Sequence, residues 1–226
     1  MIGHLNADIS FCELGGRLFF LDIQRDRYFQ LSETLERAFL HYLQAPDDAR
    51  IDISELTRYN LLTQISTARA QRPRELDIAS PGESVLEMPY LERRIPYHAM
   101  RDVFMTVGTM RWQLKAWRLK PILQGLAAYR SSHARPVANT DPEHTQRLAE
   151  AANVFNRVRP YVPIETRCLV DSLSMIRFLA GRGFHAQLVM GVTCDPFSAH
   201  AWVQHGPLVL NETVGTVQAH VPIRVI

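Results

Sequence analysis

The chain has 226 residues, 46% of them hydrophobic and 21% charged, enough for one large domain or two small ones with real cores. No run approaches the roughly 18 apolar residues of a membrane span. The amino terminus also lacks a basic-then-apolar signal, so a cytoplasmic protein without a membrane span is expected. Three cysteines, Cys12, Cys168 and Cys194, exclude a full disulfide framework, and their irregular steps to His200 and His205 argue against a zinc site.

The net charge of +2 is unevenly spread: residues 1–75 carry 9 Arg against 11 Asp and Glu. Arg93–Arg135 holds 9 Lys and Arg against the single acid Asp102, and residues 161–226 balance at 4 and 4. An anionic partner would therefore meet the middle of the chain. The acidic front argues against duplex DNA, whose binding draws on phosphate neutralisation, so no nucleic-acid partner is expected.

In chain order, the alternation of Arg17–Asp22 and of Tyr28–Leu31 predicts two strands joined by the polar turn at 24–26, with a further strand at Ile9–Leu14. Ser32 caps a helix with Leu35, Phe39 and Leu43 on one face, and Glu36 stands one position past the capping-box place. Two short helical stretches follow, near Ile53–Tyr59 and Leu61–Ala70. Three strands and three helices make a small winged helix-turn-helix over 1–75. Pro73, Pro81, Pro89 and Pro96 then mark a connecting stretch, with the linker placed at 76–97 and a second domain at 98–226.

Beyond the linker, Val103, Val107, Met110, Leu114 and Trp117 form an apolar stripe at helical spacing, with Arg111, Lys115 and Arg118 off it. Leu119–Tyr129 continues as helix and Ser131–Asn139 as loop, and Asp141 caps a helix to about Val158. Leu169, Leu173, Ile176 and Ala180 give a helix from Cys168 that ends at Gly181–Gly183. Phe184–Val192 alternates as a strand with one buried face, followed by strands at Ala199–Gln204 and Leu208–Asn211.

Cys168 opens its helix just after a loop bounded by Pro160 and Pro163. A thiol in a first helical turn meets unpaired N–H groups and the positive end of the macrodipole, which favour the thiolate. His200 follows 32 residues later in a strand. A nucleophile on a helix start and a base on a strand are the layout of Cys–His hydrolases and acyl transferases. Cys194, in the loop Cys194-Asp195-Pro196, has no such setting. A third residue must orient the imidazole, and hairpin register decides which. A two-residue turn at Gly206-Pro207 pairs His205 with Leu208 and puts Asn211 on the face of His200. A three-residue turn pairs His200 with Glu212, and one residue of slip flips the face.

The runs Cys168-Leu169-Val170-Asp171-Ser172-Leu173, Gly181-Arg182-Gly183-Phe184-His185-Ala186, Gly191-Val192, Pro196-Phe197-Ser198-Ala199-His200-Ala201-Trp202-Val203 and Val209-Leu210-Asn211 resemble the lasso peptide B proteins. These are transglutaminase-like, papain-like α+β cysteine proteases that remove the leader from a lasso peptide precursor. The segments Phe20-Leu21-Asp22 and Tyr28-Phe29-Gln30-Leu31 resemble the PqqD-like precursor recognition element, a small winged helix, here fused ahead of the protease. The resemblance implies Cys168 as nucleophile, His200 as base and Glu212 as the third member where the family usually has aspartate, with Asn211 as runner-up. It implies leader binding along Tyr28, Phe29, Gln30 and Leu31 by strand addition. It also implies a lasso precursor and an asparagine synthetase-like lasso cyclase as partners, and ATP dependence. The sequence itself shows no cofactor motif and no phosphate-cradling loop. An acyl transferase using the same thioester, or a non-enzymatic winged-helix regulator, would be the other functions for this layout.

Overall fold

The computed structural model describes residues 4–45, 54–63, 76, 78–89, 94–136 and 141–226. The chain is mixed α and β, and it divides into two compact units, Met1–Asp77 and Ile78–Ile226.

In the first unit a short strand β1 (His4–Leu5) precedes β2 (Ile9–Leu14), β3 (Arg17–Asp22) and β4 (Arg27–Phe29). The last three form an antiparallel sheet in the order β2-β3-β4, which leaves β4 as an outer strand. The β3–β4 turn closes on Asp22, whose carboxylate accepts from the N–H groups of Gln24 and Arg25, at 3.0 Å each. Helix α1 (Glu33–Gln44) starts at Ser32, whose hydroxyl accepts from Leu35 N–H. Glu36, off the capping position, is instead buried and reaches across to β3: it accepts from Leu18 N–H at 3.1 Å and from Arg17 at 3.2 Å.

Helix α2 (Ser54–Arg58) matches the first of the two expected short helices. The second does not begin at Leu61, because Leu62–Thr63 forms β5 against β1, and residues 64–70 lie outside the described residues. Leu61 and Leu62 are drawn into the core, where Phe20, Phe39 and Leu56 are fully buried. Phe20 stacks on Phe29 at 5.2 Å and meets Phe39 edge-on at 5.3 Å.

In the second unit β6 (Glu83–Ser84) lies within the span read as linker, yet it pairs in parallel with Leu208–Val209. Helix α3 (Tyr97–Ala116) buries Val103, Val107 and Met110 as the stripe requires. Trp117 lies past the helix end and is exposed. Helix α4 (Leu119–His133) runs into the stretch expected as loop, its last turn held by Ala134 N–H donating to Arg130 O. Helix α5 (Pro142–Val158) is capped by Asp141, which accepts from the N–H groups of Glu143 and His144. A 3₁₀ turn (Arg159–Tyr161) leads to α6 (Cys168–Ala180), against which α3, α4 and α5 all pack.

The sheet completes the unit with β7 (Gln187–Cys194), β8 (Phe197–His205), β9 (Leu208–Val209) and, after the short helix α7 (Val214–Gln218), β10 (Val221–Val225). Its order is β10-β7-β8-β9-β6, antiparallel except for β6 with β9. The expected single buried face of β7 is corrected: Leu188 through Val192 are all buried. Helix α6 packs against the strands, while Val189, Trp202, Val209 and Val217 form a separate core joined by Ile78. A strand covered on both faces becomes apolar on both, which alternation does not reveal.

Phe39→Ala removes a side chain with no exposure from the three-ring contact of the first unit. It should lower the unfolding free energy of that unit by about 3–5 kcal/mol, measured by urea unfolding followed by circular dichroism.

Candidate functional site

Cys168 is the first residue of α6, half-buried, with Arg167 at the cap and no side chain bonded to the first-turn N–H groups from that cap. The approach to it is pinned from inside. Arg159, buried, makes a 2.6 Å ion pair with Asp171 in the first turn of α6. Its other end donates to the carbonyls of Ile164 and Glu165 at 3.0 and 3.2 Å. One guanidinium thus fixes both the loop before Cys168 and the turn after it. Burial raises the Asp171 carboxyl, and Arg159 pulls the other way.

Ser172 stands one turn beyond Cys168 on the same helix face. Its hydroxyl donates to the carbonyl of Ala201 at 2.9 Å, next to His200, and sets the Cys168 end of α6 against this part of β8. Asn211 completes the junction. Its amide nitrogen donates to Ser172 Oγ at 2.9 Å, and its oxygen accepts from Val203 N–H at 2.7 Å.

The partner of His200 is Glu212: His200 Nε2 lies 3.0 Å from Glu212 Oε2. A carboxylate only accepts, so Nε2 carries the proton and Nδ1 keeps the lone pair. The other carboxylate oxygen, Oε1, accepts from Thr213 N–H at 2.9 Å. Burial lowers the pKa of His200 below its ordinary value, the charge and hydrogen bond of Glu212 oppose this, and His220 reinforces it. His200 is therefore a neutral imidazole at neutral pH.

The hairpin register explains why Glu212 and Asn211 divide the work. The turn is the two-residue one, with His205 opposite Leu208 and Gly206 at φ +55°. Continued, that register would bring Asn211 to the face of His200. It does not continue, because β9 ends at Val209. After Leu210 N–H donates to Val203 O the chain bends. Asn211 turns in toward Ser172, and Glu212 turns to the imidazole.

The remaining cysteines have no such surroundings. Cys12 is buried in the first unit, and burial pushes its thiol up to about 11. Cys194 is exposed at the end of β7. Among the described residues no group of His, Cys, Asp and Glu is placed to hold a metal ion. Among the described residues no helix start is immediately preceded by a glycine.

Of the leader-binding candidates, Tyr28 and Phe29 lie on β4, with Tyr28 opposite Leu21 and Phe29 packed on Phe20. Gln30 and Leu31 are past the strand end. Leu31 is buried in the core and its carbonyl accepts from Arg17 at 3.0 Å, because the chain is already entering the Ser32 cap.

Five residues support the site in roles that the sequence had not assigned to them. Ser84, on the strand inside the expected linker, donates its hydroxyl to the Glu212 carbonyl. Helix α7 is capped by Thr213, which the Thr213-Val214-Gly215-Thr216 spacing could have indicated. Asp171 and Ser172, three and four residues after Cys168, were legible as one helix face but not as anchors. Gly191 lies directly across from His200, and a Cβ there would fall 2.8 Å from the Trp202 ring.

A family model described as the transglutaminase-like superfamily matches residues 110–225, just over half of the chain. The microcin J25-processing protein McjB of Escherichia coli is 42% identical over 45 residues, which cover 20% of this chain and 22% of that protein. The chain thus matches about a fifth of that relative's length. No solved structure matches the chain significantly. Among the described residues no helix is long and apolar enough to cross a membrane.

Two variants separate the neighbours. Glu212→Gln should lower the reactivity of Cys168 by about 10²–10⁴-fold with little loss of stability. Asn211→Ala should lower the melting temperature, because it leaves the buried Val203 N–H without its acceptor, worth about 1–3 kcal/mol. Equal losses of reactivity with no thermal difference would contradict this division. The pH profile follows from His200. Its lowered pKa keeps it unprotonated below pH 6.5, so the acid limb of the rate should lie below 6.5. In Glu212→Gln the upward pull of the carboxylate is gone, and the limb should move further down.

Proposed function

The chain belongs to the transglutaminase-like superfamily, and on that premise we propose that it is a cysteine peptidase that removes the leader from a lasso peptide precursor. The observation that carries the reading is the His200–Glu212 pair at 3.0 Å, set by the Ser172–Ala201 bond at the same end of α6 as Cys168. The similarity to the microcin J25-processing protein supports the substrate class.

In the proposed reaction the Cys168 thiol gives its proton to His200 Nδ1 while Sγ attacks the scissile carbonyl carbon. Glu212 holds Nε2–H and stabilises the imidazolium so formed. The N–H groups of Cys168, Leu169 and Val170, at the start of α6, have no acceptor within the helix and are donors for the oxyanion. Collapse of the tetrahedral intermediate breaks the C–N bond, and the leaving amine takes the proton from His200. Water, deprotonated by His200, then attacks the thioester, releasing the leader as a carboxylic acid and restoring the thiol. No step is routed through ATP.

In the same reading the first unit is the winged-helix recognition domain, and the leader adds as a strand beside the outer strand β4. Main-chain hydrogen bonds would supply affinity and side-chain pockets would supply register. The core then passes to a partner cyclase for ring closure.

Cys168→Ala should abolish cleavage of a lasso precursor encoded beside this gene while leaving precursor binding within about threefold, because the first unit is a separate body. Intact-mass analysis of the wild-type incubation decides the reaction type. Free leader plus core means hydrolysis, and a leader joined to an added amine means acyl transfer. Persistent cleavage by Cys168→Ala would end the assignment of the nucleophile.

A further inference from the structure

His220, which no step above uses, stands against the ring of the base. Its Nδ1 lies 2.8 Å from the Thr216 carbonyl, and a carbonyl only accepts, so Nδ1 carries the ring proton and Nε2 a lone pair. That Nε2 is buried and has no hydrogen-bond partner among the described residues. The ring centre is 5.2 Å from that of His200, at a tilt of 35°. Trp202 flanks the same imidazole at 6.3 Å, only 21° from parallel.

Behind these rings is a cavity of about 500 Å³, lined by Trp202, His220, Val217 and Gln218 among others. The two rings that flank His200 are thus also walls of that cavity. Gly191 completes the fit: a Cβ there would fall 2.8 Å from the Trp202 ring and 3.1 Å from His220 Cβ. The strand has no side chain at the one place where both rings need the room.

One hydrogen bond from Nε2 to Glu212 fixes one atom of an imidazole and leaves the ring free to tilt about it. Confinement of the faces must come from packing. Helix α7 supplies both restraints from one turn: Thr213 N–H holds the Glu212 carboxylate, and the Thr216 carbonyl holds His220. The His220 ring stands between the His200 imidazole, 5.2 Å away, and the wall of the cavity that it lines.

We infer that His220 is a positioning residue, whose ring together with Trp202 confines the His200 imidazole so that Nδ1 stays presented to the Cys168 thiol. The inference rests on the peptidase reading and deepens it.

The test needs no identified substrate. The full-length chain is treated with iodoacetamide at pH 7, and the second-order rate at Cys168 is read by peptide mass spectrometry, with the exposed Cys194 as internal reference. His220→Ala should slow alkylation of Cys168 by about 10–100-fold, leaving the rate at Cys194 unchanged. His220→Phe, which restores a ring but no titratable nitrogen, should remain within about threefold of wild type. His220→Asn is a second ringless variant in case the alanine protein fails to fold, which circular dichroism reports. Alanine and phenylalanine variants that behave alike, both as wild type or both slow, overturn the inference. A wild-type Cys168 no faster than Cys194 overturns the nucleophile reading itself, a result separable from any effect at His220.

Discussion

The site depends on the junction at which Asn211 ties β8, α6 and the end of the hairpin together. Its side chain donates to Ser172 Oγ and accepts from Val203 N–H, while Ser172 passes the restraint on to Ala201 O. Each such bond contributes only about 1 kcal/mol net, but an orphaned buried donor costs more. The network therefore acts less as a reservoir of stability than as a veto on other arrangements. By taking Asn211 inward it ends the ladder after Val209 and delivers the next side chain to His200. Asn156 of α5 holds the same bend from the other side, donating to Leu210 O at 2.8 Å.

Around this junction opposing electrostatic effects are balanced. Burial depresses the basicity of His200, and the Glu212 carboxylate restores part of it. The carboxylate is about a quarter exposed, so it keeps some hydration, and Thr213 N–H neutralises part of the charge on its far oxygen. The outcome is an imidazole that is unprotonated at rest and has a partner when it takes a proton. That combination suits a base that must later return the proton to a leaving amine. On the cysteine side the Arg159–Asp171 pair holds the loop and first helical turn together.

The sequence was legible where a local rule decides the structure. The Ser32 and Asp141 caps, the first three members of the α3 stripe (Val103, Val107 and Met110) and the helix opening at Cys168 all follow from spacing and capping chemistry, and all are observed. It was illegible where tertiary context decides. Glu83–Ser84 has no strand pattern and pairs only because β9 offers an edge, and β7 is apolar on both faces because it is covered on both. The choice between Asn211 and Glu212 was framed as a question of register. The observed register is the one that should have favoured Asn211, yet the ladder ends too soon for register to apply. A residue's face follows from strand parity only while the strand lasts.

Glu212, where the resemblance to the lasso peptide B proteins implies an aspartate, is accommodated by the same bend. A glutamate has one more rotatable bond than an aspartate, and ordering it costs more side-chain entropy. Here the chain has left the sheet by residue 212, and its main-chain carbonyl is held by the Ser84 hydroxyl. One carboxylate oxygen meets His200 Nε2, and Thr213 N–H fixes the second, so that the longer side chain is clamped at both oxygens. Position 212 thus tolerates the longer acid because β6, the strand within the expected linker, anchors its backbone. Shortening it to aspartate without moving that anchor would leave the carboxylate short of the ring.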